Sequence, residues 1–214
     1  MGLKINEIFF SIQGESSFAG RPCVFVRLSG CNLQCTYCDT PYAREEGVWM
    51  SCDDIYDRVI SYGFPVVEIT GGEPLLQDQT PALVKRLLSK GLTVLMETNG
   101  SMNIALTDSE CVRIVDIKCP SSGQSGFMDM DNLYRMTAKD ELKFVLSDRE
   151  DYEFAKRIAN NARQILPEIN ILFSPVSGKL DPSDLSAWIL ADRLDVRLQV
   201  QLHKIIWPDT DRGV

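Results

Sequence analysis

Short apolar, β-branched segments alternate with amphipathic segments along most of the chain. The predicted strands span residues 23–29, 66–70, 92–97, 112–117, 141–146, 169–173 and 197–202. Several of them are apolar at nearly every position, as expected for strands that are covered on both faces. The alternation of strands with helical segments implies right-handed crossovers and a parallel sheet.

Helix boundary signals fall between these strands. The predicted helices span residues 51–63, 80–91, 148–163 and 182–194. Ser51 and Asp54 form a capping pair at the start of the first helix, and Thr80-Pro81 supplies the N-cap and first residue of the second. The Ser/Gly-rich segment 119–132 is predicted to be a loop.

The number of strands decides between a closed barrel and an open one. Six or seven strands are fewer than the eight that close a β/α barrel. We therefore expect an α/β fold, an open, partial parallel β/α barrel of about six or seven strands. Because the chain shows no repeat, low-complexity tract or linker, residues 1–214 are predicted to form a single domain.

The composition disfavours two classes of function, nucleic-acid binding and a role within the membrane. The chain has 214 residues, 44% of them hydrophobic, and a net charge of -8. Nucleic-acid binding is disfavoured because Lys and Arg form no basic run. No apolar run approaches the roughly 20 residues of a membrane span, and the N-terminal residues do not resemble a secretory signal, so we expect a cytoplasmic protein with no membrane partner.

Polar and glycine-rich residues gather where the predicted strands end. The segments are Ser29-Gly30-Cys31, Thr70-Gly71-Gly72-Glu73, Glu97-Thr98-Asn99-Gly100, Asp116-Ile117-Lys118-Cys119, Ser174-Pro175 and His203-Lys204. Barrel-like α/β enzymes build their active sites at this edge of the sheet. The sequence therefore predicts one site formed by the segments that follow the strands.

Three cysteines within eight residues are the strongest chemical signal. Cys31, Cys35 and Cys38 place three soft ligands on one short loop, where they can bind an iron-sulfur cubane and leave its fourth iron open. The alternative is a structural zinc site with a fourth ligand elsewhere, such as Cys23 or Cys52. Zinc sites usually show paired Cys-x-x-Cys or Cys/His spacings, which this loop lacks.

The spacing Cys-x3-Cys-x-aromatic-Cys, with Tyr37 as the aromatic residue, resembles the signature of the radical SAM superfamily. That resemblance implies a [4Fe-4S] cluster whose open iron binds S-adenosylmethionine (SAM) and whose electron cleaves SAM to a 5'-deoxyadenosyl radical. The turn Thr70-Gly71-Gly72-Glu73-Pro74 supports this reading, because its glycines let the backbone approach a ligand closely.

Further segments narrow the resemblance. They are Ser11-Ile12-Gln13-Gly14-Glu15, Phe25 to Cys31, Cys38-Asp39-Thr40, Asp116 to Gly123 and Gln201-Leu202-His203-Lys204. This set resembles the 7-carboxy-7-deazaguanine synthases, over about residues 5–208. The resemblance implies a carbon-nitrogen lyase of queuosine biosynthesis that converts 6-carboxy-5,6,7,8-tetrahydropterin to 7-carboxy-7-deazaguanine with loss of ammonia.

The same resemblance implies the cofactors, partners and ligands. It adds Mg²⁺ at Thr40, a flavodoxin-like electron donor and a homodimer, and it makes SAM the source of the radical, with no catalytic side chain. The implied SAM contacts are Tyr37, Asp39, Gly72, Glu73, Lys118, Cys119, Ser174 and Pro175. The substrate contacts expected from the resemblance and from side-chain chemistry together are Ile12, Gln13, Gly14, Glu15, Arg27, Thr70 and His203.

Side-chain chemistry agrees with several of these roles. Arg27 lies in an otherwise apolar strand, where a guanidinium needs an anion such as a substrate carboxylate; the alternative is an internal salt bridge to Glu97 or Asp116. Gln13 and Glu15 offer the donor and acceptors that a pterin edge requires.

One other radical SAM function shares these two motifs. Activating enzymes of glycyl-radical enzymes carry a similar cysteine loop and glycine turn, but their substrate is a protein backbone. Arg27 beside the expected cluster favours a small anionic substrate instead. His203, the only histidine, is expected at a strand end near the substrate, with a purely structural role as the alternative.

Overall fold

Nine strands form one open sheet in the computed structural model, which describes residues 2–214. The strands are β1 Gly2–Ile12, β2 Pro22–Leu28, β3 Val48–Ser51, β4 Val66–Gly71, β5 Thr93–Thr98, β6 Val112–Asp116, β7 Glu141–Leu146, β8 Asn170–Pro175 and β9 Arg197–Leu198. Their order across the sheet is β3-β1-β2-β4-β5-β6-β7-β8-β9. β2 and β4 to β9 are parallel, so the open parallel β/α architecture is confirmed.

Two strands were not predicted. β1 pairs antiparallel with β2 and with the short edge strand β3. The register of β1 on β2 shifts between Ile5 and Glu7, so β1 lacks the regular alternation that identifies a strand. At the opposite edge the expected strand 197–202 is wrong in length, because β9 ends at Leu198.

Helices cover the sheet and connect its strands. They are α1 Cys52–Ser61, α2 Thr80–Leu88, α3 Asn132–Arg135, α4 Arg149–Ile165, α5 Pro182–Asp192 and α6 Leu202–Ile206. Ser51 caps α1 as predicted, with its Oγ accepting from the Asp54 N–H at 3.1 Å. The predicted loop 119–132 contains two 3-10 helices, Pro120–Ser122 and Ser125–Phe127. Among residues 2–214, no helix combines the length and apolarity that crossing a bilayer requires.

The loop between β1 and β2, residues 13–21, crosses to the far edge of the open sheet. The Ser16 N–H donates to Gln199 Oε1 at 2.9 Å, and Gln199 Nε2 donates to the Ser16 carbonyl at 2.8 Å. The Ser17 N–H donates to the carboxylate of Glu141 at the start of β7. The loop therefore spans the gap that nine strands leave open and presents its other residues to the site.

Candidate active site

A cavity of about 560 Å³ lies at the ends of the parallel strands. Its lining comes from the carboxyl-terminal parts of β2 and β4 to β7, from the segments that follow β2, β4, β5, β6, β8 and β9, from the β1–β2 loop and from the C-terminal residues. Fifteen of the predicted site residues line it: Ile12, Gln13, Gly14, Glu15, Arg27, Cys31, Cys35, Tyr37, Cys38, Asp39, Thr40, Thr70, Gly72, Lys118 and His203. The structure therefore brings most of the sequence-predicted residues together in one place.

The cysteine loop forms one wall of this cavity. Cys31, Cys35 and Cys38 are half-buried free thiols, and no other cysteine of residues 2–214 lines the cavity. The loop is held by Thr36, whose N–H and Oγ donate to the carbonyls of Ser122 and Ser121 at 3.1 and 2.8 Å. In the described part of the chain, the thiols do not converge on a single metal ion with a fourth His, Cys, Asp or Glu.

This donor set fits a cubane with one open iron. Each cysteine of such a cluster binds a different iron, so the three sulfurs need not converge on one point. The same cavity also has a buried acceptor suited to SAM, the ligand expected beside the cluster. Asp116 Oδ1 has no hydrogen-bond partner among the described residues, while Asp116 Oδ2 accepts from Lys118 Nζ at 2.7 Å. An ammonium or hydroxyl group of a bound ligand can satisfy that oxygen.

The glycine turn after β4 packs directly against the cysteine loop. Gly71 has a φ of 140°, and a Cβ at Gly72 would collide with the Gly30 carbonyl and approach Cys31 Cβ to 2.9 Å. The Glu73 N–H donates to the Gly30 carbonyl at 2.8 Å. Close packing of two loops therefore requires glycine at position 72.

Four of the expected SAM contacts are buried and do not line the cavity. They are Glu73, Cys119, Ser174 and Pro175. Glu73 uses both carboxylate oxygens inside the protein, and its burial raises the pKa of that carboxyl despite these hydrogen bonds. Ser174 Oγ donates to the Gln199 carbonyl at 2.8 Å, so its hydroxyl has a structural partner.

A buried ion cluster also lines this cavity. Lys143 Nζ contacts Glu97 Oε1 at 2.6 Å and forms a second ion pair with Glu15. Glu68, also buried, accepts a hydrogen bond from Gln13 Nε2. Burial opposes ionisation of Glu15, but Lys143 lowers the pKa of that carboxyl to about 2.

The pKa values of the other two carboxyls move in the opposite direction. Burial raises the pKa of Glu68 well above its ordinary value, and Glu97 adds to that rise. Burial also raises the pKa of Glu97, although Lys143 opposes it. The sequence analysis assigned no ligand contact to Glu68, Glu97 or Lys143, although Glu97 begins one of the segments predicted to form the site. Each was detectable as a charged residue inside an apolar strand, the same signal that identified Arg27.

Arg27 has a different internal partner from the two alternatives considered. Its Nε donates to Glu7 Oε1 at 2.8 Å, because the antiparallel pairing of β1 with β2 sets Glu7 opposite Arg27. Tyr42 donates its hydroxyl to the same Glu7 oxygen at 3.2 Å. The internal salt bridge therefore exists, but the Arg27 side chain still lines the cavity, where its other nitrogens can meet a ligand carboxylate.

His203 reaches the cavity from a helix and not from a strand end. The prediction of a strand end is wrong, because β9 stops at Leu198 and His203 lies in α6. The imidazole packs against the backbone of Gly14, where any Cβ would collide with Nδ1. Burial lowers the pKa of His203, so the neutral imidazole is favoured at neutral pH.

The C-terminal residues 207–214 fold back over the cavity. Trp207, Pro208, Thr210, Asp211 and Val214 line it. Arg212 Nη2 contacts Glu46 Oε2 at 2.8 Å, and its guanidinium lies 4.2 Å from the centre of the Tyr42 ring. The Gly213 N–H donates to Glu7 Oε2 at 3.1 Å, so Glu7 joins the tail to Arg27.

Replacing Arg212 with alanine is expected to loosen this tail without unfolding the protein. Exposed ion pairs contribute about 0.2–1 kcal/mol, so amide hydrogen exchange in residues 209–214 should accelerate about 1.4-fold to fivefold. Arg157→Ala, a matched change at an exposed arginine on α4, should leave exchange in the tail unchanged. Equal exchange in the two variants would contradict the anchoring role of Arg212.

Comparison with known proteins identifies the family. The Radical SAM superfamily model matches residues 25–117. A 7-carboxy-7-deazaguanine synthase from Koribacter versatilis is 44% identical, covering 99% of this chain and 100% of that protein. One from Chlorobaculum tepidum is 47% identical, covering 99% and 97%. The crystal structure of QueE from Escherichia coli matches with a TM-score of 0.74 at 25% identity, covering 94% of each chain. The chain therefore belongs to the 7-carboxy-7-deazaguanine synthase family within the radical SAM superfamily.

Proposed function

We propose that this protein converts 6-carboxy-5,6,7,8-tetrahydropterin to 7-carboxy-7-deazaguanine with loss of ammonia, as a step of 7-deazapurine biosynthesis. The observation that carries the proposal is a single cavity lined by three free thiols, by Arg27 and by the Lys143 ion cluster. The relatives that match this chain over nearly its whole length are named for the product of this reaction.

Membership of the radical SAM superfamily implies that the chain uses a [4Fe-4S] cluster and SAM. Cys31, Cys35 and Cys38 are the residues that would hold the cluster, and together with SAM it supplies radical hydrogen abstraction. Asp116, Lys118 and the Gly72 backbone lie on the same cavity and would hold SAM. The protein's own task is then to orient the pterin beside these groups and to keep water away.

The remaining cavity residues suit a carboxylated pterin. Arg27 offers N–H groups to the carboxylate, and Gln13, Glu15 and Thr70 offer donors and acceptors to the ring edge. Gln13 is fixed at both ends of its amide, because Oε1 accepts from the Glu15 N–H at 2.9 Å while Nε2 donates to Glu68. A fixed amide can discriminate between ring edges at little entropic cost.

Several finer assignments extend this proposal. Thr40 lines the cavity next to Asp39 and offers a hydroxyl oxygen to Mg²⁺, which prefers such hard ligands and keeps several waters. We also propose that the chain forms a single domain, that it assembles as a homodimer in the cytoplasm, and that a flavodoxin-like protein supplies its electrons. Adding Mg²⁺ to enzyme that holds its cluster but has been freed of Mg²⁺, and repeating the assay with Thr40→Val, tests the role of Mg²⁺.

The central experiment follows product and SAM together. Protein prepared without oxygen and loaded with iron and sulfide should convert the carboxypterin to a deazapurine that mass spectrometry detects, without net consumption of SAM. Release of 5'-deoxyadenosine and methionine without a deazapurine would overturn the proposal. Activation of a glycyl-radical protein would support the activating-enzyme alternative, which the comparisons do not favour.

Replacing Arg27 with methionine is expected to raise KM for the carboxypterin and to lower kcat/KM about tenfold to a hundredfold, because a hydrogen bond to a charged group contributes about 1.5–3 kcal/mol. The kcat/KM of Arg27→Lys should lie between those of the wild type and Arg27→Met, since lysine keeps the charge but loses the bidentate geometry. Arg21→Met changes an arginine just before β2 and should leave KM unchanged. A normal KM in Arg27→Met would remove the carboxylate contact from the proposal.

A further inference from the structure

The side chain of Asn99 reaches the cysteine loop from the end of β5. Its Nδ2 lies 3.7 Å from Cys31 Sγ, within hydrogen-bonding distance for sulfur, and 3.0 Å from Asn32 Oδ1. Asn99 lines the cavity yet is only 7% exposed, so its contacts are shielded from solvent. An amide nitrogen near a thiolate ligand is a hydrogen-bond donor aimed at the cluster site.

The orientation of this amide follows from its other contacts. Asn99 Oδ1 accepts from the Ser101 N–H at 3.0 Å and from Ser101 Oγ at 2.6 Å. Because a backbone N–H can only donate, the atom facing Ser101 must be the amide oxygen. The amide nitrogen therefore faces Cys31.

Glu73 fixes the backbone that carries this amide. Its Oε2 accepts from the Asn99 N–H at 2.7 Å, and its Oε1 accepts from Thr98 Oγ at 2.8 Å. Glu73 is fully buried and does not line the cavity. Its place beneath the site suits a positioning residue that acts through Asn99.

We propose that the Asn99 amide donates a hydrogen bond to the Cys31 sulfur and raises the reduction potential of the cluster, with Glu73 holding Asn99 in place. The reduced cluster carries one more negative charge, so a donor at a ligand sulfur stabilises it more than the oxidised form. This inference depends on the cluster and not on the identity of the organic substrate. Its failure can therefore be distinguished from failure of the pterin reaction.

The test is a redox titration of iron-loaded full-length protein, monitored by electron spin resonance. Asn99→Ala removes the donor, and we expect a ratio of reduced to oxidised cluster about tenfold lower at a fixed potential. For one electron this corresponds to a midpoint about 59 mV more negative. Asn103→Ala is the matched control, because the Asn103 side chain caps the 3-10 helix Ile104–Leu106 and, within residues 2–214, does not line the cavity.

Two more variants separate a hydrogen bond from general disturbance of the loop. Asn99→Asp keeps an acceptor for Ser101 but replaces the donor by negative charge, so its midpoint should be more negative than that of Asn99→Ala. Glu73→Gln weakens the hold on the Asn99 backbone and should give a smaller shift in the same direction. If both Asn99 variants titrate at the potential of wild type and of Asn103→Ala, the proposal is overturned.

Discussion

Replacing Lys143 with methionine is expected to lower the free energy of unfolding by about 3–5 kcal/mol, the usual cost of removing one partner from a buried ion pair. Lys143 is 3% exposed and is the cation that contacts both Glu15 and Glu97. Without it, two carboxylates in a buried cluster lose their counter-charge. Urea unfolding of the two proteins measures the difference.

The loss should depend on pH in a defined direction. In the wild type the pKa of Glu15 is lowered from 4.5 to about 2, so its contribution is present above pH 4.5 and is lost as pH falls towards 2. In the variant burial, the largest influence on Glu15, is opposed only by the hydrogen bond from Gln201 and by His203, so the pKa of Glu15 should rise as burial already raises those of Glu68 and Glu97. The deficit of the variant should therefore be larger at pH 7.5 than at pH 5.

A nearby lysine provides the control for this substitution. Lys139 pairs with Glu110 at 3.3 Å on the surface, where ion pairs contribute little. Lys139→Met should change the free energy of unfolding by no more than about 0.5 kcal/mol. A deficit in Lys143→Met that did not vary between pH 5 and 7.5 would show that the buried carboxyls do not depend on Lys143.

Replacing Asp140 with alanine is expected to destabilise the protein by a similar amount, about 3–5 kcal/mol. Asp140 is fully buried, and its Oδ2 accepts from Arg113 Nη2 at 2.5 Å and from the Thr137 N–H at 2.7 Å. Its Oδ1 also accepts from the Arg113 N–H at 2.8 Å. The variant leaves a buried guanidinium without an anion, and the melting temperature should fall by about 6–20 °C.

A double variant separates the cost of leaving the Arg113 charge unpaired from the cost of losing the Asp140 side chain. Arg113→Met combined with Asp140→Ala removes both charges, so it should be more stable than Asp140→Ala alone. Asp131→Ala is the surface control, because Asp131 is 78% exposed and lies 3.7 Å from Arg135. Equal melting temperatures for the single and double variants would contradict the role assigned to this pair.

The parallel part of the fold could be predicted because its strands are buried on both faces. Runs such as residues 66–70 and 141–146 are apolar enough to stand out without any knowledge of their neighbours. The edge strands could not be predicted in this way. β3 has four residues, with Trp49 71% exposed, and the irregularity between Ile5 and Glu7 breaks the periodicity of β1.

The site was predictable where residue type is unusual for its surroundings. Three cysteines on one loop, and Arg27 in an apolar strand, required no tertiary information. The placement of His203 did require tertiary information, because residues 197–202 alternate between polar and apolar residues as a strand does. Gln199 instead turns inward and bonds Ser16, and this long-range contact overrides the local pattern. Glu73 likewise accepts hydrogen bonds from Thr98 and Asn99 at the end of β5. The sequence of its own turn does not reveal that β5 supplies these donors.

The loop that spans the open edge of the sheet also constrains how the protein is made. Ser16 and Gln199, which it joins, are 183 residues apart in sequence. At a synthesis rate of about 5–20 residues per second, the ribosome takes roughly 10–40 s to travel that distance. Throughout this interval the loop that contains Gln13 and Glu15 lacks Gln199, the residue to which it is bonded in the folded protein. The pocket therefore acquires its final shape only late in translation or after release of the nascent chain.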